Sequence, residues 1–227
     1  RTERHDAAPV PVPATLPMGR RTAQASTQEA FGRVMGELAR SDLPLAARIV
    51  TTSPDVTVST GLAGWVGKRE VFSRSDHEDV FRAEQVVSPT PWRENRTGQH
   101  LELGIAENNL FLTLASLGLA HDLFGARLLP IGTLYDPFIA RGLDALNYAC
   151  YQDSRFMLVA TPSGVTLAPE GGAHQSIHTP LIGIGQPGLV SYEPAYVDEL
   201  AVLMRHGLEY MQQDDGGSIY LRLSTRS

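Results

Sequence analysis

The sequence predicts an α/β domain, a parallel β-sheet with helices on both faces. Two observations carry this expectation. Short β-rich runs alternate with helix-periodic runs through the second half of the chain, and a crossover helix between parallel strands must bury its apolar stripe on the sheet. The residues of unusual chemistry then fall in loops after the strands, which is where such folds collect ligand sites.

Each element has its own justification. Ser26 followed by Glu29 is a capping box, and Phe31, Val34, Met35 and Leu38 recur at helical spacing, so a helix is expected from Thr27 to Arg40. A short strand over Ile49 to Thr52 ends at Ser53-Pro54-Asp55, where Asp55 reads as a turn former. From Gly61 to Gly98 no period is sustained, and a long irregular excursion is expected there, of the kind more often functional than idle. An apolar helix from Ile105 to His121 precedes a strand from Arg127 to Ile131, a helix from Phe138 to Tyr151 and a strand from Phe156 to Ala160. A Gly-rich loop, Ser163 to Gly172, leads on to a strand from Leu189 to Tyr192. Val197, Leu200, Ala201, Met204, Leu208 and Met211 then form one helical stripe, and Ser218 to Leu223 alternates as a last strand.

Residues 1–25 are rich in Pro, Ala and Arg, start on Arg1 rather than Met and hold no apolar segment suited to a signal peptide, so they read as a solvated linker or disordered tail inside a longer protein. The folded domain is expected over residues 26–227. Nineteen Lys and Arg against 25 Asp and Glu give a net charge of −6 with no basic stripe, which excludes nucleic acid as a natural partner. The single cysteine, Cys150, precludes an intrachain disulfide and fits a reducing compartment. The longest nearly apolar run, Leu110 to Ala120, is too short to span a bilayer, so a cytoplasmic protein without a membrane partner is expected.

Several familiar signatures fail on context. Gly183-Ile-Gly-Gln-Pro-Gly188 has the dinucleotide-binding spacing but precedes a strand, so it reads as a turn. Gly61 to Lys68 has the wrong glycine spacing for a phosphate loop, and Arg69 stands where a hydroxyl would hold magnesium. His174 and His178 have metal-ligand spacing, but the preceding glycines and Pro180 argue against the helix that would align them, and no metal ligands are assigned. No serine lies in a nucleophile-elbow sequence.

Glu107 is different in kind. It opens a helix whose following residues, Leu110, Phe111, Leu112, Leu114 and Leu117, are apolar on all sides, so its carboxylate is expected in a largely dry site. Burial penalises the charged form and the helix amino end favours it; an acid placed only to complement the helix dipole fits the composition equally well.

Three segments set the chain in a wider context: Gly104-Ile-Ala-Glu107, Tyr135-Asp-Pro-Phe138 and Pro169-Glu-Gly-Gly-Ala-His-Gln175. In this order they resemble the pyrimidine-binding domain of the transketolases and of the homodimeric decarboxylase component of pyruvate dehydrogenase. The resemblance runs from about Ser26 to the end of the chain and implies the thiamine-diphosphate-binding fold of pyrimidine type. It implies that Glu107 hydrogen-bonds a ring nitrogen of the cofactor's aminopyrimidine and promotes its imino tautomer. It implies that Tyr135 and Phe138 flank that ring, that His174 faces the substrate side for proton transfer or oxyanion stabilisation, and that Glu170 contacts substrate hydroxyls. Ala106 and Asn108 stand where transketolases usually have Arg and His, which favours a small 2-oxo acid over a phosphorylated ketose as substrate. The Gly-Asp-Gly motif that holds magnesium and diphosphate in the family has no counterpart, since Asp214-Asp-Gly-Gly217 is neither that sequence nor in that place. The expected partner is therefore a diphosphate-binding domain or subunit, in a homodimer or hetero-oligomer. The alternative is a non-catalytic oligomerisation or regulatory module that retains the fold.

Overall fold

A computed structural model describes residues 5, 7–19, 24–75, 80–87 and 92–227. Its first helix, α1 (Thr27–Arg40), is set by the expected capping box: the Glu29 amide donates to Ser26 Oγ at 3.2 Å, and the Ser26 amide donates to the Glu29 carboxylate at 2.8 Å. Phe31, Val34, Met35 and Leu38 are the stripe this helix buries.

The remaining elements are β1 (Ile49–Ser53), α2 (Ala63–Arg69), β2 (Val71–Phe72), α3 (Val80–Ala83), β3 (Glu94–Asn95), β4 (His100–Glu102), α4 (Glu107–Gly118), α5 (Ala120–Phe124), β5 (Leu129–Leu134), α6 (Leu143–Tyr151), β6 (Met157–Ala160), α7 (Thr179–Gly185), β7 (Leu189–Tyr192), α8 (Val197–Tyr210) and β8 (Ser218–Arg222). The strands form one sheet in the order β3-β2-β4-β1-β5-β6-β8-β7, and every pairing is parallel. The α/β class expected from the alternation is the one observed.

Period-two alternation along the strands divides the core between the two faces. Leu129, Ile131, Met157, Val159, Ile219 and Leu221 point to one face and are covered by α1, α2 and α8. Leu134, Leu158, Ala160 and Tyr220 point to the other and are covered by α4 and α6. Among the described residues no helix is long and apolar enough to cross a membrane.

Four expectations are revised. Residues 7–19 do not make a solvated tail. Leu16 joins the core, Val10, Val12 and Met18 pack against it, Val10 exchanges two hydrogen bonds with the Gln212 side chain at 2.6 and 3.1 Å, and Arg127 donates to the Ala7 carbonyl at 2.8 Å. Prolines cost this segment amide donors but leave it extended, so its apolar side chains reach the domain while its carbonyls take side-chain donors. Residues 1–4, 6 and 20–23 of the expected tail lie outside the described residues.

The excursion from Gly61 to Gly98 contains the short elements α2, β2, α3 and β3; residues 76–79 and 88–91 lie outside the described residues. The helix expected from Phe138 begins instead as a 3-10 segment, Asp136–Gly142, with Pro137 in its first turn, and becomes α-helical at Leu143. Gly183 and Gly185 belong to α7, not to a turn, and only Gln186 to Gly188 make the bend into β7.

Candidate functional site

The carboxyl ends of the parallel strands all point to one edge of the sheet, and the residues singled out in the sequence lie in the segments that leave this edge. Glu107 is the first residue of α4, following β4 by a four-residue connection, and is buried. The helix it opens is not dry on all sides, since Leu112 is 51% exposed and Ile105, just before it, is 77% exposed. The carboxylate itself is covered, its side chain 9% exposed, and it accepts a hydrogen bond from Arg141 Nη1 at 2.8 Å.

Arg141 reaches Glu107 because Gly142 lets the 3-10 segment close on α4: a Cβ at Gly142 would collide with the Phe111 ring and approach the Glu107 carbonyl at 3.1 Å. The guanidinium also lies over the Phe138 ring, 3.9 Å from its centroid. One flat cation thus connects the buried carboxylate to the face of an aromatic ring.

The loop after β6 brings a third component. His174, in a 3-10 turn (Gly172–His174), meets Phe138 edge-on with centroids 5.3 Å apart and Tyr135 at 6.2 Å; Tyr135 and Phe138 are 6.1 Å apart. Its Nε2 lies 3.7 Å from the half-exposed Glu170 carboxylate, whereas its Nδ1 is buried without a hydrogen-bond partner. Glu107, Tyr135, Phe138, Glu170 and His174 are therefore gathered into one neighbourhood through Arg141 and Phe138. Among the described residues no group of three His, Cys, Asp or Glu is placed to hold a metal ion.

Around this neighbourhood the sheet edge is braced by two polar clusters. His100 on β4 is fully buried, with Nδ1 2.8 Å from Thr51 Oγ1 and Nε2 3.1 Å from Thr57 Oγ1. Burial works against ionisation of Glu102, but hydrogen bonds from His100, Thr57 and the Asp55 amide outweigh it and hold this carboxyl below the usual carboxylate range. Asp55 serves here as a turn residue with φ of 64° that offers its amide to Glu102.

The second cluster centres on Asp136, fully buried, which accepts from Ser176, Thr179, Tyr220 and Arg222. Burial first, and then the Asp136 charge, push the Tyr220 hydroxyl up so that it stays a donor. Cys150 is buried away from the site, and burial pushes its thiol up to about 11, which makes it an inert core residue.

Arg141 and Asp136 were not singled out in the sequence. Asp136 lies inside the Tyr135 to Phe138 motif, where the aromatic pair draws the attention. A concavity of about 820 Å³ lies elsewhere, between the start of α1 and the end of β8; Arg222, a donor to Asp136, lines it, but Glu107, Tyr135, Phe138, Arg141, Glu170 and His174 do not. In the candidate site Tyr135, Phe138 and His174 are half-buried, and Arg141 and Glu170 are exposed.

The all-parallel sheet, covered on both faces, thus carries an acid, two aromatics and a histidine beyond its carboxyl edge. The profile of one family, the pyruvate dehydrogenase E1 component middle domain, matches residues 13–225. The chain belongs to that family.

The chain is 29% identical over 228 residues to the pyruvate dehydrogenase E1 component of Pseudomonas aeruginosa, an alignment covering 97% of this chain and 25% of that protein. Against the E1 component of Mycolicibacterium smegmatis the identity is 28%, over 92% of this chain and 22% of that protein. A transketolase from Pichia stipitis, solved with fructose 6-phosphate, superposes with a TM-score of 0.70 at 19% identity, over 95% of this chain and 28% of that one, a likeness of fold. The chain spans about a quarter of the length of these relatives, so in them a domain of this kind is accompanied by much further protein.

Proposed function

We propose that this chain is the pyrimidine-binding part of a thiamine-diphosphate-dependent enzyme acting on a small 2-oxo acid or a ketose, with Glu107 as the group that activates the cofactor. The observation that carries this reading is the contact chain from Glu107 through Arg141 to Phe138. A planar, delocalised cation rests with an N–H on the carboxylate and a face on the ring, and an aminopyrimidine asks for the same two contacts, an anionic acceptor for a ring N–H and a flat apolar neighbour. The residues present fit that half of the cofactor.

In this reading Glu107 holds the proton at the pyrimidine nitrogen, and its burial makes that hydrogen bond stronger than it would be in water. Tyr135 and Phe138 flank the ring. Bound thiamine diphosphate supplies the nucleophilic carbon and the electron sink for cleavage beside a carbonyl.

His174, packed on both aromatics with an unpartnered buried nitrogen, moves a proton or donates to an oxyanion on the substrate side. Glu170 stands beside it to orient the imidazole and receive substrate hydroxyls. The diphosphate and its magnesium belong, in this reading, to a diphosphate-binding domain or subunit that closes over the open edge in a homodimer or hetero-oligomer. The exposed Ile105 and Ile177, 77% and 86% accessible, suit such a contact.

Glu107→Gln in the complete enzyme tests the assignment. A positioned acid–base group contributes about 10²- to 10⁴-fold, so turnover should fall by that order while the unfolding midpoint moves little. Full turnover in a protein that still binds the cofactor would leave the oligomerisation or regulatory module as the better account.

A further inference from the structure

We infer that Asp136 is a positioning residue, which through Ser176 and Thr179 clamps the loop carrying Glu170 and His174 against Tyr135 and Phe138. This rests on the reading of His174 given above and extends it to a residue that makes no direct contact with the ring system.

The geometry is a two-point fastening. Asp136 is the residue between Tyr135, which follows the end of β5, and Pro137-Phe138, and its carboxylate is fully buried. Ser176 donates to it, and Ser176 stands two residues after His174, as Asp136 stands two before Phe138. The hydrogen bond between Asp136 and Ser176 therefore lies alongside the ring contact between Phe138 and His174.

The same serine closes the neck of the loop: its Oγ accepts from the Gly164 amide at 3.2 Å and its amide donates to the Gly164 carbonyl at 2.9 Å. Both Glu170 and His174 lie within the segment so closed. Thr179, the first residue of α7, adds a second donor to the same carboxylate oxygen at 2.6 Å, which holds the far end of the segment.

On the sheet side the carboxylate is fixed by β8, where Tyr220 donates to it at 2.5 Å and Arg222 approaches both oxygens at 3.3 Å. One carboxylate thus ties the turn after β5, the loop after β6 and the neighbouring strand β8. A buried ionic cluster is an inefficient source of stability, because desolvation offsets much of its attraction. Its satisfied, directional hydrogen bonds are well suited to fixing a single loop geometry. The loop has little else to hold it, since residues 168–173 bury no side chain.

The test follows Ser176→Ala and Asp136→Asn in the complete protein by two readouts. The first is the rate at which diethyl pyrocarbonate acylates His174, mapped by peptide mass, with His206 on α8 as internal reference. The clamp predicts that both substitutions free the imidazole and speed its modification several-fold relative to His206. An unchanged ratio in both overturns the inference, whatever happens to activity.

The second readout is a double-mutant cycle on turnover of the holoenzyme with His174→Ala. Misplacement of a reacting group by about 1 Å costs up to about 10²-fold, so kcat should fall by roughly 10- to 10²-fold in Ser176→Ala with KM little changed. Adding Ser176→Ala to His174→Ala should cost nothing further. Additive losses mean that Ser176 acts on something other than His174 and overturn the inference. Full turnover in His174→Ala itself sinks the functional reading instead, and the modification ratio then decides the clamp alone. Ser176→Ala removes one hydroxyl and leaves the Asp136 to Arg222 pair in place, so it decides the matter even where Asp136→Asn does not fold.

Discussion

At the scale of single residues, the chemistry turns on how each buried carboxylate is compensated. Glu107 is covered and its charged partner among the described residues, Arg141, is 52% exposed, so the two sides of the pair are not equivalent. Arg141→Ala should strand an unpaired buried charge and lower stability by about 1–3 kcal/mol, and Glu107→Gln added to it should recover most of the loss. Chemical unfolding of the two single variants and the double variant checks this. Glu102 offers a test in pH. Its carboxyl is held below its ordinary value of 4.5, so its contribution to stability is complete above that pH and is lost as pH falls through the lower, folded value. The unfolding midpoint should therefore drop as the solution is acidified below about 4.5, and Glu102→Gln should flatten that part of the profile. The burial of Glu107 was legible in the sequence from the apolar run that follows it, whereas a role for it came only with the family resemblance. Arg141 and Asp136 were not, because their defining partners lie 34 residues away for one and 40 to 86 residues away for the other. No local pattern encodes a contact of that span.

At the scale of elements, the hydrophobic pattern placed α1, β6, β7, α8 and β8 within a residue or two, the helices by a buried stripe and β6 and β8 by short runs that are buried along their whole length. It failed where length or chemistry works against periodicity. β4 has three residues, too few to show an alternation, yet it pairs with the central strand β1 and leads directly to Glu107. The 3-10 segment Asp136–Gly142 looked like the start of α6 because both bury side chains at helical spacing; it is this tighter winding that carries Phe138 and Arg141. The residues 183–188 that mimic a dinucleotide motif serve packing. A Cβ at Gly183 would collide with the Ser191 side chain and come within 2.9 Å of the Tyr220 ring, so the glycine lets α7 lie on β7 and β8. Gly183→Ala should cost about 1–3 kcal/mol by overpacking, measured by denaturant unfolding, and a loss near zero would mean that α7 stands further from the sheet. The docking of residues 7–19 was hidden by a Pro-rich composition that resembles a linker, whereas its energy lies in a few anchors, Val10, Val12 and Leu16.

At the scale of the whole molecule, the candidate site lies along the carboxyl edge of the sheet, with Glu107 buried, Tyr135, Phe138 and His174 half-buried and Glu170 exposed. A site of this form suits a ligand held between two domains. With no metal-holding group of three acidic, His or Cys residues among the described residues, this chain alone should bind thiamine diphosphate weakly. Calorimetry in the presence of magnesium checks that, and tight magnesium-dependent binding would contradict the division of the site between two domains. The central claim is that Glu107 activates the cofactor, and the most direct measurement is exchange of the thiazolium carbon proton with solvent deuterium in the complete enzyme. The account predicts that Glu107→Gln slows this exchange by about 10²- to 10⁴-fold while cofactor binding persists; equal exchange rates in the wild type and the variant would contradict it.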